Sequence, residues 1–217
     1  MEYYTYTYEH QQDFFQNELP DSLLAGVVLS SLYSVSGKTT LANILTELIP
    51  NHERIVLIED AAEMQIQKDN FVRFETRREQ NGVLAVTIRD LLKATLRHRP
   101  DRIILGEIRG GEALDLFQLL NTGPSGTIST VLANSATQGV SRFATCVLQS
   151  GVEIPYRAIK TNIADSFSIV VHIECRPGLR FVSEVLAVGG FDSETDTFRF
   201  DRVYCWEKPK SAAAGNL

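Results

Sequence analysis

The sequence predicts an α/β fold: a mostly parallel sheet with an antiparallel extension at its C-terminal end. Two observations carry that reading. Short, nearly all-apolar runs at 25–31, 54–58, 103–105 and 127–132 alternate with stretches of helical periodicity. Strands buried on both faces with helices between them are the pattern of a parallel sheet. From about residue 168 the period changes, and segments 168–174, 180–188 and 198–206 read as three strands joined by Pro177-Gly178 and Gly189-Gly190.

In chain order, residues 1 to about 22 are Tyr/Thr-rich and then Gln-rich, with Pro20-Asp21 as a break. They carry no motif; Tyr3, Tyr4, Tyr6 and Tyr8 fit either a short edge strand or a frayed terminus. A folded unit is expected over 23–207. Its first strand (25–31) feeds a helix that starts after Lys38 and stops near Ile49-Pro50. The strand at 54–58 ends in Glu59-Asp60, and 71–75 alternates as a short strand. Thr87 begins a helix, with Asp90 three residues on as a capping-box variant; Ile88, Leu91, Leu92, Thr95 and Leu96 mark its apolar face and Pro100 stops it. The strand at 103–105 runs into Gly106-Glu107. Helices then follow at about 111–121, with Gly123 as the stop, around Val140 to Leu148, and at about 156–165. Residues 208–217 are a polar Ala/Gly tail.

With 44% apolar and 22% charged residues the composition is that of an ordinary globular protein. The formal net charge of −6 argues against a surface built wholly for nucleic acid or anionic membrane. Cys146, Cys175 and Cys205 have neither disulfide-framework nor zinc-finger spacing, which suits a reducing compartment. No run approaches the roughly 20 apolar residues of a membrane span, and no signal peptide is visible. The chain reads as cytosolic.

Chemistry concentrates at strand ends. Ser36-Gly37-Lys38-Thr39-Thr40 lies between a strand and a helix, where backbone N–H groups, a lysine and a hydroxyl can meet a phosphate and its Mg²⁺. The bland alternative is a turn feeding a helix. Glu107 sits at the carboxyl end of a buried strand, where open α/β sheets bind ligands. It can orient a water for phosphoryl transfer, or it is a solvated acid. Glu59, Asp60 and Glu63 crowd past another buried strand and repel one another unless a cation sits among them, which points to metal-linked work, with solvated surface acids as the alternative. Arg77, Arg78, Arg89, Arg97, Arg99 and Arg109 are available to stabilise phosphoryl charge, and the sequence does not choose among them. No H-E-x-x-H motif, nucleophile elbow or Cys/His metal spacing is present. His10, His52, His98 and His172 are scattered, and His172 reads as structural within a strand.

Together these segments resemble the secretion ATPases of bacterial type II and type IV systems, most nearly the conjugal-transfer branch. The resemblance rests on Ser-Gly-Lys-Thr-Thr-Leu at 36–41 and on Ile-Glu-Asp-Ala-Ala-Glu at 58–63, similar to the acidic box. Arg-Asp-Leu-Leu at 89–92 leads to Arg-Pro-Asp-Arg-Ile-Ile-Leu-Gly-Glu-Ile-Arg-Gly-Gly-Glu-Ala at 99–113, similar to the atypical Walker B region. Thr122-Gly123, Gly126-Thr127 and Ala133-Asn134-Ser135 resemble the segment around the histidine box. Coverage runs from about Gly26 to Gly190.

The resemblance implies a RecA-like P-loop NTPase core that binds ATP and Mg²⁺. It implies a homo-oligomer, a hexameric ring at the cytoplasmic face of the inner membrane, working with other secretion-system proteins and without sequence-specific nucleic-acid binding. ATP hydrolysis there powers substrate transfer or pilus assembly. Carried over by position, Ser36, Gly37, Lys38, Thr39 and Thr40 hold the nucleotide, and Thr39, Glu59 and Asp60 serve the metal. Glu107, Lys38 and Glu63 are catalytic, with Glu107 as the catalytic glutamate. The chain departs from the family at Leu32, Tyr33 and Val35, where glycines give the loop positive φ and close approach to phosphate, and at Leu132, the histidine-box position. The family's usual separate N-terminal domain, which helps close over the nucleotide, is expected to be missing or supplied elsewhere. A subunit that joins or regulates a ring without turning over ATP is therefore the alternative expectation, and a truncated copy is one form of it.

Overall fold

The structure, a computed structural model, describes residues 25–33, 36–120 and 126–206. The N-terminal segment, Val35, Thr122, Gly123 and the 208–217 tail lie outside them. The described elements are β1 (Gly26–Ser31), α1 (Lys38–Glu47), β2 (Ile55–Glu59), β3 (Phe71–Glu75), α2 (Ile88–Thr95), β4 (Arg102–Ile108) and α3 (Glu112–Leu120), then β5 (Gly126–Leu132), α4 (Ala136–Leu148), α5 (Tyr156–Ser166), β6 (Ile169–Arg176), β7 (Leu179–Asp192) and β8 (Thr197–Cys205). They build one sheet in the order β3-β2-β4-β5-β1-β6-β7-β8. Every pairing from β3 to β6 is parallel, and β6-β7 and β7-β8 are antiparallel. The expected mostly parallel sheet with an antiparallel extension is the observed one.

The apolar runs are strands because both faces of the sheet are covered. Along β1, Val27 and Leu29 point into the layer shared with Leu41, Ala42 and Leu45 of α1, while Val28 points to the opposite layer. β2 divides the same way, with Ile55 and Leu57 toward α1 and Val56 and Ile58 toward α2–α5. Successive strand side chains alternate faces, so one apolar run serves two cores. Helix starts are chemically marked. Thr87 and Asp90 form a full capping box on α2, and Ser135 accepts from Gln138 N–H to cap α4 at 3.1 Å. α1 begins at Gly37, whose φ of 101° lies in the left-handed region, where an L side chain would be strained.

Two expectations are corrected. Gly189-Gly190 is not the turn between strands but lies inside β7. The β7–β8 register shifts between Val188 and Gly190, and Gly190 has φ 129°, so the pair makes a bulge. The actual turn follows Asp192, whose carboxylate accepts from Glu194 N–H at 2.8 Å. β4 also continues past Leu105 through Glu107 to Ile108, because the ladder to β5 slips and then resumes at Ile108–Val131.

Candidate functional site

In the sheet order, β2, β4, β5 and β1 are neighbours, so their carboxyl ends place Glu59, Glu107, Leu132 and Ser31 along one edge. α1 starts over that edge. The result is a cavity of about 240 Å³ lined by Lys38, Thr39, Glu59, Asp60, Glu63 and Glu107, together with Gly106, Arg109 and Thr130. Segments separated by roughly 70 residues in sequence meet there.

Lys38 is only 5% exposed. Its ammonium donates to Ser31 Oγ and to the Tyr33 carbonyl, both at 2.9 Å. Burial pushes its pKa below the ordinary lysine value, and the charges of Glu107 and Glu63 oppose that shift. Ser36 donates to the same Ser31 Oγ at 2.6 Å. The loop is thus drawn in around its own lysine, while the side chains of Leu32 and Tyr33 stand 52% and 57% exposed. Leu32 and Leu132 line one small surface recess, so the loop and the end of β5 are neighbours there. Gly37 also lies beside β7, since a Cβ added to it would come within 4.0 Å of Arg180 Cδ.

The acidic segment is built around Glu59, 3% exposed. Its Oε1 accepts from the backbone N–H groups of Glu63 and Met64 at 3.2 and 2.9 Å. That turn brings Glu63 to Thr39, whose hydroxyl donates to Glu63 Oε2 at 3.4 Å. The other oxygen, Glu59 Oε2, has no hydrogen-bond partner although buried; Arg73 Nε stands 3.5 Å away as an ion pair. Gly106 keeps the floor open, because an added Cβ would reach Glu59 Cγ at 3.3 Å.

Two of the three acids have an arginine beside them. Arg73 faces Glu59. Arg109 reaches Asp60 Oδ2 at 3.2 Å with Nη1 and Glu107 Oε2 at 2.7 Å with Nε. Asp60, expected at a metal, is contacted by Arg109 and by the Thr76 hydroxyl at 3.3 Å. Among the described residues no group of three His, Cys, Asp or Glu side chains is placed to cage a metal. The acid–hydroxyl set suits Mg²⁺ in another way, because that ion is commonly held by one or two protein groups together with substrate phosphates. Thr39 and Glu59 Oε2, which has no hydrogen-bond partner, fit that role.

Of the six candidate arginines, only Arg109 lines the cavity. Arg89 is tied to Asp115 at 2.7 Å and Arg77 donates to the Leu84 carbonyl at 3.2 Å. Both line, with Arg78 and Arg109, a second and larger recess of about 820 Å³. His172 is buried, with Nδ1 2.9 Å from Ser30 Oγ, the structural role its strand position implied. Sequence reasoning missed Ser31, Arg73 and Thr130. Ser31 had a signal: a serine pair, Ser30-Ser31, closing an apolar strand just before a phosphate-type loop.

The fold and site define a P-loop type of α/β protein, and comparison places it further. Residues 7–176 match the model of the type II/IV secretion system protein family, and the chain belongs to that family. The match begins well before Gly26, so it takes in much of the segment that carried no recognisable motif. The probable conjugal transfer protein TrbB of Sinorhizobium fredii is 34% identical over 177 residues, 78% of this chain and 51% of its own length. The type IV secretion system protein PtlH of Bordetella pertussis is 40% identical over 147 residues, 66% of this chain and 43% of its own. Among solved structures, the VirB11 ATPase of the Brucella suis type IV secretion system, in complex with sulphate, superposes with a TM-score of 0.67 at 30% identity. It covers 83% of this chain and 51% of its own. The chain spans about half the length of these relatives. No helix among the described residues is long and apolar enough to cross a membrane.

Proposed function

We propose that this chain is the ATP-binding motor subunit of a type IV secretion or conjugal transfer system, hydrolysing ATP to drive substrate transfer or pilus assembly. The observation that carries the reading is the meeting of Lys38, Thr39, Glu63 and Glu107 in one cavity at the carboxyl ends of parallel strands. Bound there, ATP supplies the phosphoryl group transferred to water, and Mg²⁺ neutralises charge on its oxygens. Ser36, Gly37, Lys38, Thr39 and Thr40 hold the phosphates, with Lys38 exchanging the Tyr33 carbonyl for an anion. Thr39 and Glu59 hold the metal, and Glu63 keeps the Thr39 hydroxyl oriented. Glu107 accepts the proton of the attacking water or orients it. The subunit works in a homo-oligomeric ring, six copies by family resemblance, at the cytoplasmic face of the inner membrane beside other secretion-system proteins.

The experiment is a calorimetric ATP titration of wild type and Lys38→Ala, with phosphate release and light scattering on the same samples. We expect binding that falls at least tenfold in Lys38→Ala, turnover in the wild type, and a multi-subunit mass with nucleotide. Equal affinity in both proteins would refute the site. Binding without turnover points to a ring or regulatory subunit instead, and a monomeric mass throughout would refute the ring.

A further inference from the structure

Arg109 stands apart from the other arginines by what it joins. One guanidinium spans Glu107, at the end of β4, and Asp60, just past β2, and so ties two separate strand ends across the cavity mouth. Asp60 in turn accepts from Thr76 beyond β3. Hydrogen bonding to Glu107 and its charge hold the Arg109 proton more firmly than usual. The bridge costs little in burial, because the Arg109 side chain is 66% exposed.

Charge gives the contact a purpose. The cavity lining carries two cations, Lys38 and Arg109, against four acids, Glu59, Asp60, Glu63 and Glu107. A polyphosphate entering that space meets like charge at close range, and like charges placed together are costly. Lys38 is held on the loop by Ser31 and Tyr33, so Arg109 is the cation in direct contact with Glu107 and Asp60.

We infer that Arg109 is a positioning residue that sets the Glu107 carboxylate and lets a triphosphate share the cavity with Glu107 and Asp60. This rests on the nucleotide reading above. It acts through the two carboxylates, and its side chain also forms part of the wall between the phosphate cavity and the larger arginine-lined recess.

Charge compensation tests it without requiring turnover. Wild type, Arg109→Ala and the double variant Arg109→Ala/Glu107→Gln are titrated with a non-hydrolysable ATP analogue and Mg²⁺ by calorimetry. Arg109→Ala is expected to weaken binding about tenfold, and the double variant to return to within about threefold of wild type, since Glu107→Gln removes the nearer of the two acids that Arg109→Ala leaves unpaired and with it most of the repulsion. Arg109→Lys, which reaches one carboxylate but not both, falls between. Unchanged binding in Arg109→Ala, or no recovery in the double variant, overturns the proposal. Hydrogen exchange on the nucleotide-free proteins gives a separate reading. Arg109→Ala should exchange faster at residues 60–64 and 106–110 with an unchanged Tm, and unchanged exchange overturns the positioning role. If neither wild type nor Lys38→Ala binds the analogue, the nucleotide reading fails, and the exchange measurement still decides for or against Arg109.

Discussion

At the residue scale the molecule separates buried polar groups that serve the cavity from those that serve the sheet. His172 is of the second kind. Its ring sits against Ser30 between β1 and β7; burial pushes its pKa below the ordinary 6.5, while Glu174 and Glu184 pull the other way. The native pKa therefore lies below the unfolded one, and between the two the unfolded chain binds more protons. Stability is then lost as the pH falls below about 6.5 and is regained on returning to neutrality. We expect His172→Gln, which keeps a hydrogen-bonding group for Ser30, to lose less stability than wild type between pH 7.5 and 5. Denaturant melts across that range check it, and parallel pH dependences would refute it. The contrast between the two kinds of group was partly legible. A histidine inside an apolar strand announced itself as structural, and Lys38, Thr39, Glu63 and Glu107 announced themselves by position at strand ends. What no pattern showed was pairing: that Asp60 belongs to Arg109, or that Lys38 is satisfied by the chain's own serine and carbonyl. Such contacts depend on where side chains from distant segments meet.

At the element scale, joints decide where strands can lie. β1 starts directly against the end of α5. Gly26 accepts from Ser168 N–H at 2.8 Å, and a Cβ added to Gly26 would stand 2.1 Å from the Ser166 carbonyl oxygen and 3.0 Å from Phe167 Cα. Both obstacles are backbone and cannot turn aside as a side chain could. Gly26→Ala is therefore expected to destabilise by about 2–3 kcal/mol, a fall in Tm of roughly 5–10 °C for a chain of this size. Thermal melts of the two proteins measure it, and a Tm within 2 °C of wild type would show that the joint opens freely. Elements of this kind were readable wherever local chemistry defined them: the capping box at Thr87 and Asp90, the doubly buried runs of β1 and β2, and the turn at Pro177-Gly178. The misread place was Gly189-Gly190, where glycine marked a bulge and not a turn. Both need a relaxed backbone, and only the partner strand distinguishes them.

At the scale of the whole molecule, the sequence supplies strands but not their order. β2 follows β1 in the chain, yet β4 and β5 lie between them in the sheet. That arrangement is what carries Glu59 and Glu107 to the same edge as Lys38, and no local period encodes it. It also means that the cavity does not exist in the unfolded chain, where its lining residues are scattered from Lys38 to Thr130. A ligand of the cavity should therefore bind the folded state alone, and its binding energy adds to stability in full. At a free concentration 100-fold above its Kd that contribution is about 2.7 kcal/mol, which for a domain of this size raises Tm by roughly 5–10 °C. A non-hydrolysable ATP analogue with Mg²⁺ should produce this shift in the wild type and lose most of it in Lys38→Ala at the same concentrations. The size of the shift reports affinity and its loss reports the site, so each proposal has its own reading in one thermal scan. A shift of equal size in Lys38→Ala would mean that the analogue binds elsewhere on the molecule, and the convergence of β1, β2 and β4 would then need another occupant.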